Sequence, residues 1–320
     1  MTRRLTIVIP TYDQSALLRE CLGSLSEQTY SDFDVVVVDD ASAEDIVAVG
    51  SEAMPSARVI RLETNEGFAV AANTGILAAT SSEFVMLLNN DMTLEPECVA
   101  RLMAVAEQGP AAMVAPLVLW KDDPDVVYSA GDRVLVGGRP ESIGFREQRK
   151  TFRPDSAPFG VSAGAAIYRR SIFARIGILD QTFVAYFEDA DLSFRARLAG
   201  FEAACVPDAI AYHVGSASQG GKTWWRSRQC YRNHALLVLK NMPFTLLLRL
   251  GVPILRERMH QSRMLLSSAR AEFGLARALM EFAGAKLDIA RHIPGILRAR
   301  RASLAGRALS DQALRNLLSR

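Results

Sequence analysis

The sequence predicts an α/β fold: a doubly wound, mostly parallel sheet with helices on both faces, followed by a C-terminal helical region. Three observations carry this. Short β-branched runs alternate with helical patterns through the first 110 residues. A polar, often acidic cluster follows each of the main strand-like runs directly. From Asn241 onward the chain is almost entirely helix-patterned and rich in arginine.

The elements follow in order. Leu5–Ile9 reads as a buried strand, and Ser15–Ser26 as a helix with Leu17, Leu18, Cys21, Leu22 and Leu25 on one face. Val35–Val38 and Ala57–Leu62 are strand-like, Gly67–Ala79 is helical, and Glu83–Leu88 is a fourth strand. Strands alternating with helices imply a parallel sheet covered on both faces. Ligands of such sheets bind at the carboxyl ends of the strands. Those ends read Pro10-Thr11-Tyr12-Asp13, Asp39-Asp40-Ala41-Ser42, Asn65, and Asn89-Asn90-Asp91. Further on, Val114–Trp120 and Val126–Tyr128 are strand-like, Gly131–Pro154 reads as an irregular, acceptor-side loop, and Arg169–Ile176 reads as a short helix. The expected organisation is a catalytic domain over 1–240 and a basic amphipathic helical region over 241–320. The first divides into a nucleotide-binding half, about 1–110, and an acceptor half, about 111–240.

Composition bounds the class. With 49% hydrophobic and 22% charged residues, the chain matches a folded globular protein and argues against large-scale disorder. Its four cysteines, at 21, 98, 205 and 230, form no CxxC pair and read as free thiols rather than a disulfide framework. No stretch approaches the ~20 apolar residues of a membrane-spanning helix. The expected address is cytoplasmic. Charge is uneven: residues 241–320 hold 14 Lys/Arg against 5 Asp/Glu, a net of +9, and the preceding 240 hold 23 against 30, a net of −7. Two readings fit: arginines that decorate solvated helix faces, or arginines that attract anionic head groups. Nucleic acid is not an expected partner.

Four clusters could carry chemistry. A carboxylate at a strand end, as in Asn89-Asn90-Asp91, can bind a divalent cation on a diphosphate, or can only shape a turn. Asp40 can accept from a base or ribose, though Ser42 and Asp45 could equally begin a helix. Glu188-Asp189-Ala190-Asp191 opens a helix ending at Gly200. Asp191 stands i,i+4 to Arg195 and reads as an ion-pair partner. The aromatic-flanked Glu188 and Asp189 suit a general base. His213 precedes a stretch, Gly215–Gly221, that could close over a ligand, and it could complete a metal site with Asp91.

Together these segments resemble family 2 glycosyltransferases of the GT-A fold. The matching stretches are Ile7–Tyr12, Val37–Ser42, Asn65–Ala69, Asn73-Thr74-Gly75, Leu88–Asp91, Phe187–Leu192 and Tyr212-His213, in order over about 5–240. The Asn-Glu-Gly-Phe-Ala and Glu-Asp-x-Asp-Leu forms, with Arg232-Asn233, look most like bacterial rhamnosyltransferases. The 24-residue step from Asp189 to His213 also looks like galactofuranosyltransferases. The resemblance implies an inverting, metal-dependent transfer from a dTDP- or UDP-linked sugar, rhamnose favoured, to a glycan or polyprenyl-diphosphate-linked acceptor in polysaccharide or cell-envelope synthesis. It implies Asp189 as catalytic base with Glu188 beside it, and Asp91 and His213 as ligands of Mg2+ or Mn2+. Donor-binding positions would be Pro10, Thr11, Tyr12, Asp40, Asn65, Gly67, Asn73, Asn90 and Gly164. The first position of the family's Asp-x-Asp motif is Asn89 here, a neutral and weaker ligand. Arg228 or Arg232 could assist the leaving group, but each reads first as a solvated helix-face arginine. A lipid-linked acceptor gives the basic tail a use at the inner face of the cell membrane, with homodimerisation as the alternative. A non-catalytic nucleotide-sugar-binding protein is hinted at only by Asn89. A nucleotidyltransferase should carry a Gly-rich loop after the first strand, which Ile9–Asp13 lacks.

Overall fold

The computed structural model describes residues 3–154, 157–215 and 223–319. The first half alternates as expected: β1 (Leu5–Thr11), α1 (Ser15–Ser26), β2 (Phe33–Asp39), α2 (Ile46–Ala53), β3 (Arg58–Arg61), α3 (Phe68–Ala78) and β4 (Phe84–Leu88). Then come β5 (Met92–Leu94), α4 (Cys98–Gln108), β6 (Ala111–Trp120), β7 (Val127–Ser129), β8 (Asp132–Val134), β9 (Pro140–Ser142), β10 (Ala165–Arg169), α5 (Ser171–Ile176), α6 (Glu188–Leu198) and β11 (Glu202–His213). Five helices close the chain: α7 (Thr223–Asn241), α8 (Phe244–Arg249), α9 (Gly251–Phe273), α10 (Leu275–Ala305) and α11 (Asp311–Leu317).

Among the described residues the main sheet runs β3-β2-β1-β4-β10-β6-β11-β5, with β7 on β6. Pairs among β1–β4 are parallel, as is β6 with β11. Strand β10 is antiparallel to both neighbours, and β5 and β7 pair antiparallel as well. The sheet is therefore mixed, less parallel than expected. Parallel neighbours need crossover helices, and the segments leading into β5, β7 and β10 contain none.

Alternation along β1 divides the core. Leu5, Ile7 and Ile9 face α1, α2 and α4, while Val8 faces α3, α5 and α6. Gly75 marks the closest approach: a Cβ there would stand 2.1 Å from Val8 Cγ1, so α3 can lie on β1 only with glycine at this point. The segment expected to be an irregular loop, Gly131–Pro154, contains the β8–β9 hairpin. The boundary expected at residue 240 falls in the last turn of α7, a helix that packs on α6 and also on α9 and α10. Asp191 ties these parts together. It is fully buried and accepts from Arg195 Nε at 2.8 Å, Lys240 Nζ at 2.9 Å and Asn241 Nδ2 at 2.7 Å.

Candidate functional site

Strand pairing brings Asp91 and His213 together. β4 ends in the Asn89-Asn90 turn, and β5 runs antiparallel to β11 with His213 opposite Met92. Val214 N donates to Asp91 O at 3.1 Å, and His213 Nε2 stands 3.2 Å from Asp91 Oδ2. Tyr128 meets the imidazole edge-on, ring centroids 4.4 Å apart. Asp91 Oδ1 and His213 Nδ1 are both buried without a hydrogen-bond partner. Buried polar atoms ordinarily find partners, so this pair has capacity left for a ligand. One carboxylate and one imidazole suit Mg2+ or Mn2+ when phosphate and water fill the other positions. Among the described residues no group of three or more His, Cys, Asp or Glu is placed to hold a metal by itself. Residues 216–221 of the stretch expected to close over the donor lie outside the described residues.

The carboxylates of α6 are set up by strained backbone. Val184, Tyr186 and Phe187 have φ of 58°, 65° and 72°, a left-handed conformation that is costly for bulky side chains. Asn233, fully buried on α7, holds this loop by donating to the carbonyls of Phe183, Ala185 and Tyr186 at 2.8 to 2.9 Å. The helix begins directly at Glu188, so Glu188 and Asp189 are its first two residues. Asp189 Oδ1 accepts from Ala190 N at 2.7 Å and Oδ2 from Ala163 N at 3.3 Å. Burial raises the Asp189 carboxyl above its ordinary range, against the pull of these N–H donors. Burial and the adjacent Asp189 push the Glu188 carboxyl up to about 8.

A third carboxyl joins them. Asp132, on the β8–β9 hairpin, accepts from Ser142 Oγ at 3.2 Å. Desolvation, then the charge of Asp189, holds it well above the carboxylate range. Like charges in a poorly hydrated space cannot all ionise, so the group retains a proton at neutral pH. Nothing around Asp132 in the sequence marks it; only the folding of the hairpin over the site brings it in.

These groups line one cleft of about 670 Å³, with Asn89, Gly164 and Tyr128 on its walls. The C-terminal helices reach it too, through His260, Gln261 and Met264 of α9. Two arginines line the cleft: Arg139, paired with Glu141 and Glu257, and Arg226, with its guanidinium 5.5 Å from the centre of the Tyr186 ring. Arg228 faces Glu281 and Asp288 instead. Arg232 is buried rather than solvated, bonded to Asp288, Thr182 O and Asn233.

The residues expected to contact the donor nucleotide form a separate rim at the carboxyl ends of β1 and β2. Asp40 is buried and accepts from Glu66 N and Gly67 N, both at 2.8 Å. Burial raises its pKa, opposed by these two donors. It shapes the turn into α3, where Gly67 has φ +89°. Asn90 Nδ2 donates to Thr11 Oγ1 at 2.9 Å, joining the ends of β4 and β1. Pro10 is buried within β1, Tyr12 is 48% exposed, and Asn65 is exposed. Gly164 stands on the cleft wall, its carbonyl accepting from Asn89 N at 2.7 Å. Asn73 does not belong to the rim. It is buried, and both ends of its amide bond the backbone of Leu179 at 2.9 and 3.0 Å. Its role is to fasten α3 to the segment leading toward α6.

Comparison with known proteins agrees with the fold. The family model described as glycosyl transferase family 2 matches residues 6–177. An N-acetylglucosaminyl-diphospho-decaprenol L-rhamnosyltransferase of Mycobacterium tuberculosis is 27% identical over 246 residues, covering 69% of this chain and 79% of that protein. A mannosyltransferase from Pyrobaculum calidifontis, solved with GDP-Man and Mn2+, superposes with TM-score 0.55 at 20% identity, covering 96% of this chain and 86% of that one. GalNAc-T7, solved with UDP, GalNAc and Mn2+, gives TM-score 0.63 at 15% identity, covering 92% and 58%.

Proposed function

Since the chain belongs to glycosyl transferase family 2, we propose that it is an inverting, metal-dependent enzyme that moves rhamnose from a nucleotide-diphosphate donor to a lipid-linked acceptor. The observation that carries this reading is the convergence of Asp189 with the Asp91–His213 pair in one cleft. Asp189 takes the proton of the acceptor hydroxyl as its oxygen attacks the anomeric carbon, and the bond to the diphosphate oxygen breaks on the opposite side. This single displacement inverts the anomeric configuration. The Ala163 and Ala190 N–H groups aim the Asp189 carboxylate. Glu188, its pKa raised, keeps a second negative charge away from the base. Mg2+ or Mn2+ held by Asp91 and His213 would neutralise charge on the departing diphosphate. Arg226 adds a fixed positive charge on the same wall, with Thr11, Tyr12, Asp40, Asn65, Gly67 and Asn90 forming the nucleotide rim.

Rhamnose and a polyprenyl-diphosphate acceptor are favoured because a relative similar over 69% of this chain is named for that transfer. Mn2+ is favoured by two neighbours of the same fold solved with it. Such an acceptor puts the enzyme at the inner face of the cell membrane, with catalysis in residues 1–240. The test is turnover of dTDP-rhamnose, UDP-galactofuranose, UDP-glucose and UDP-N-acetylglucosamine with Mn2+, with the product anomer read by NMR. Turnover of dTDP-rhamnose with inversion is expected. Preference for another of these donors overturns the sugar; retention of configuration overturns the mechanism.

A further inference from the structure

Helix α10 exposes an apolar face to solvent. It has 31 residues and a length of about 46 Å at 1.5 Å per residue. Leu275, Leu279, Met280, Leu287, Ile293 and Leu297 expose 37% to 63% of their surface. At 100° per residue they span about 140° of the helix circumference. The side packed on the protein is apolar as well, with Ala278, Phe282, Ala285, Ile289 and Ile296, so the exposed residues form a second apolar face. A surface helix of a globular protein ordinarily turns its apolar stripe inward. At the α9–α10 turn the half-exposed Phe273 stands against Trp224, ring centroids 5.1 Å apart.

The charges on this surface are mostly basic, with Glu272 at the end of α9 an exposed carboxylate among them. The two acidic residues of α10, Glu281 and Asp288, turn inward to Arg228 and Arg232. Among the described residues, the exposed Arg256, Arg263 and Arg270 of α9 and Arg291, Arg298 and Arg301 of α10 form no ion pair. A second copy would bring like charges together across a two-fold axis. An anionic surface with an apolar interior complements both features at once.

We propose that the outward face of α10, with the α9–α10 turn, seats the protein on an anionic lipid bilayer. The proposal rests on the reading above for why a membrane matters, but its test does not use catalysis. The full chain is sedimented with vesicles of phosphatidylcholine, with and without phosphatidylglycerol. Binding is expected only where phosphatidylglycerol is present. Arg298→Gln/Arg301→Gln should weaken it about 25-fold, roughly fivefold per charge. Leu279→Gln/Leu287→Gln should weaken it at least about tenfold. Donor turnover in solution should be unchanged in both variants, so loss of vesicle binding is separable from loss of catalysis. The proposal is overturned if phosphatidylglycerol vesicles are not bound, or are bound by both variants as tightly as by the parent. It is also overturned if sedimentation equilibrium finds a dimer that Leu279→Gln/Leu287→Gln dissolves.

Discussion

His213 lies 122 residues beyond Asp91, yet its Nε2 stands 3.2 Å from Asp91 Oδ2. The two meet because β11 pairs with β5, which begins one residue after Asp91. If the pair holds the divalent cation, His213→Ala should lower kcat about a hundredfold and raise the Mn2+ concentration needed for half-maximal rate. The check is a Mn2+ titration of donor turnover; an unchanged titration curve removes His213 from the site.

Asn233 acts through the loop it holds. Asn233→Ala removes the side-chain donor from the carbonyls of Phe183, Ala185 and Tyr186, and among the described residues only Phe183 O keeps a backbone donor, Ala185 N. A loss of about 1–3 kcal/mol in urea unfolding is expected. As the left-handed backbone at Tyr186 and Phe187 relaxes, kcat should fall with little change in KM.

Asp191 is a structural carboxylate, and its stability depends on pH in a defined direction. Burial alone would raise its pKa, but Arg195 and Lys240, with Asn241, hold it below the ordinary range. Lys240 likewise outweighs burial at Asp180 and lowers it to about 2 from 3.8. A depressed carboxylate stabilises the fold above its unfolded pKa and loses that contribution as pH falls through the folded one. For Asp180 the loss therefore runs from about pH 3.8 down to about 2. Asp191→Asn leaves Arg195 in the interior without a carboxylate, while Lys240 keeps only Asp180, and should cost about 3–5 kcal/mol by thermal melting at pH 7.

Glu188 carries the opposite sign. Its folded pKa of about 8 lies above the ordinary 4.5, so the unfolded chain releases this proton first and stability falls as pH rises between those values. Glu188→Gln removes the titration. Its Tm should match the parent below about pH 4.5 and exceed it progressively toward pH 8. A parallel pair of Tm curves would contradict the raised pKa.

Much of the fold was legible because periodicity and core agree. The helix expected at Ser15–Ser26 forms over those residues, since Leu18, Cys21, Leu22 and Leu25 all face the core. Asp191 was legible as a partner of Arg195, because i,i+4 spacing fixes that contact locally. Its bonds to Lys240 and Asn241 were not, since they depend on where α7 packs. Asp132 could not be read from a lone Asp in a Gly-rich stretch. The turn of the Asn73 amide toward Leu179 was not legible, because a motif position does not say which way a side chain turns. Leu279, Met280 and Leu287 are spaced to share a helix face, but spacing alone does not say that the face looks outward.

The central claim is that Asp189 removes the acceptor proton. The direct measurement is kcat of Asp189→Asn against the parent enzyme, with donor and Mn2+ saturating and folding confirmed by the melting curve. A fall of about 10²- to 10⁴-fold with KM for the donor nearly unchanged is expected. In the parent, kcat should rise with pH along a limb above the ordinary carboxylate range, since burial raises the Asp189 pKa. An Asp189→Asn enzyme that keeps the parent's kcat and the parent's pH limb would contradict the account.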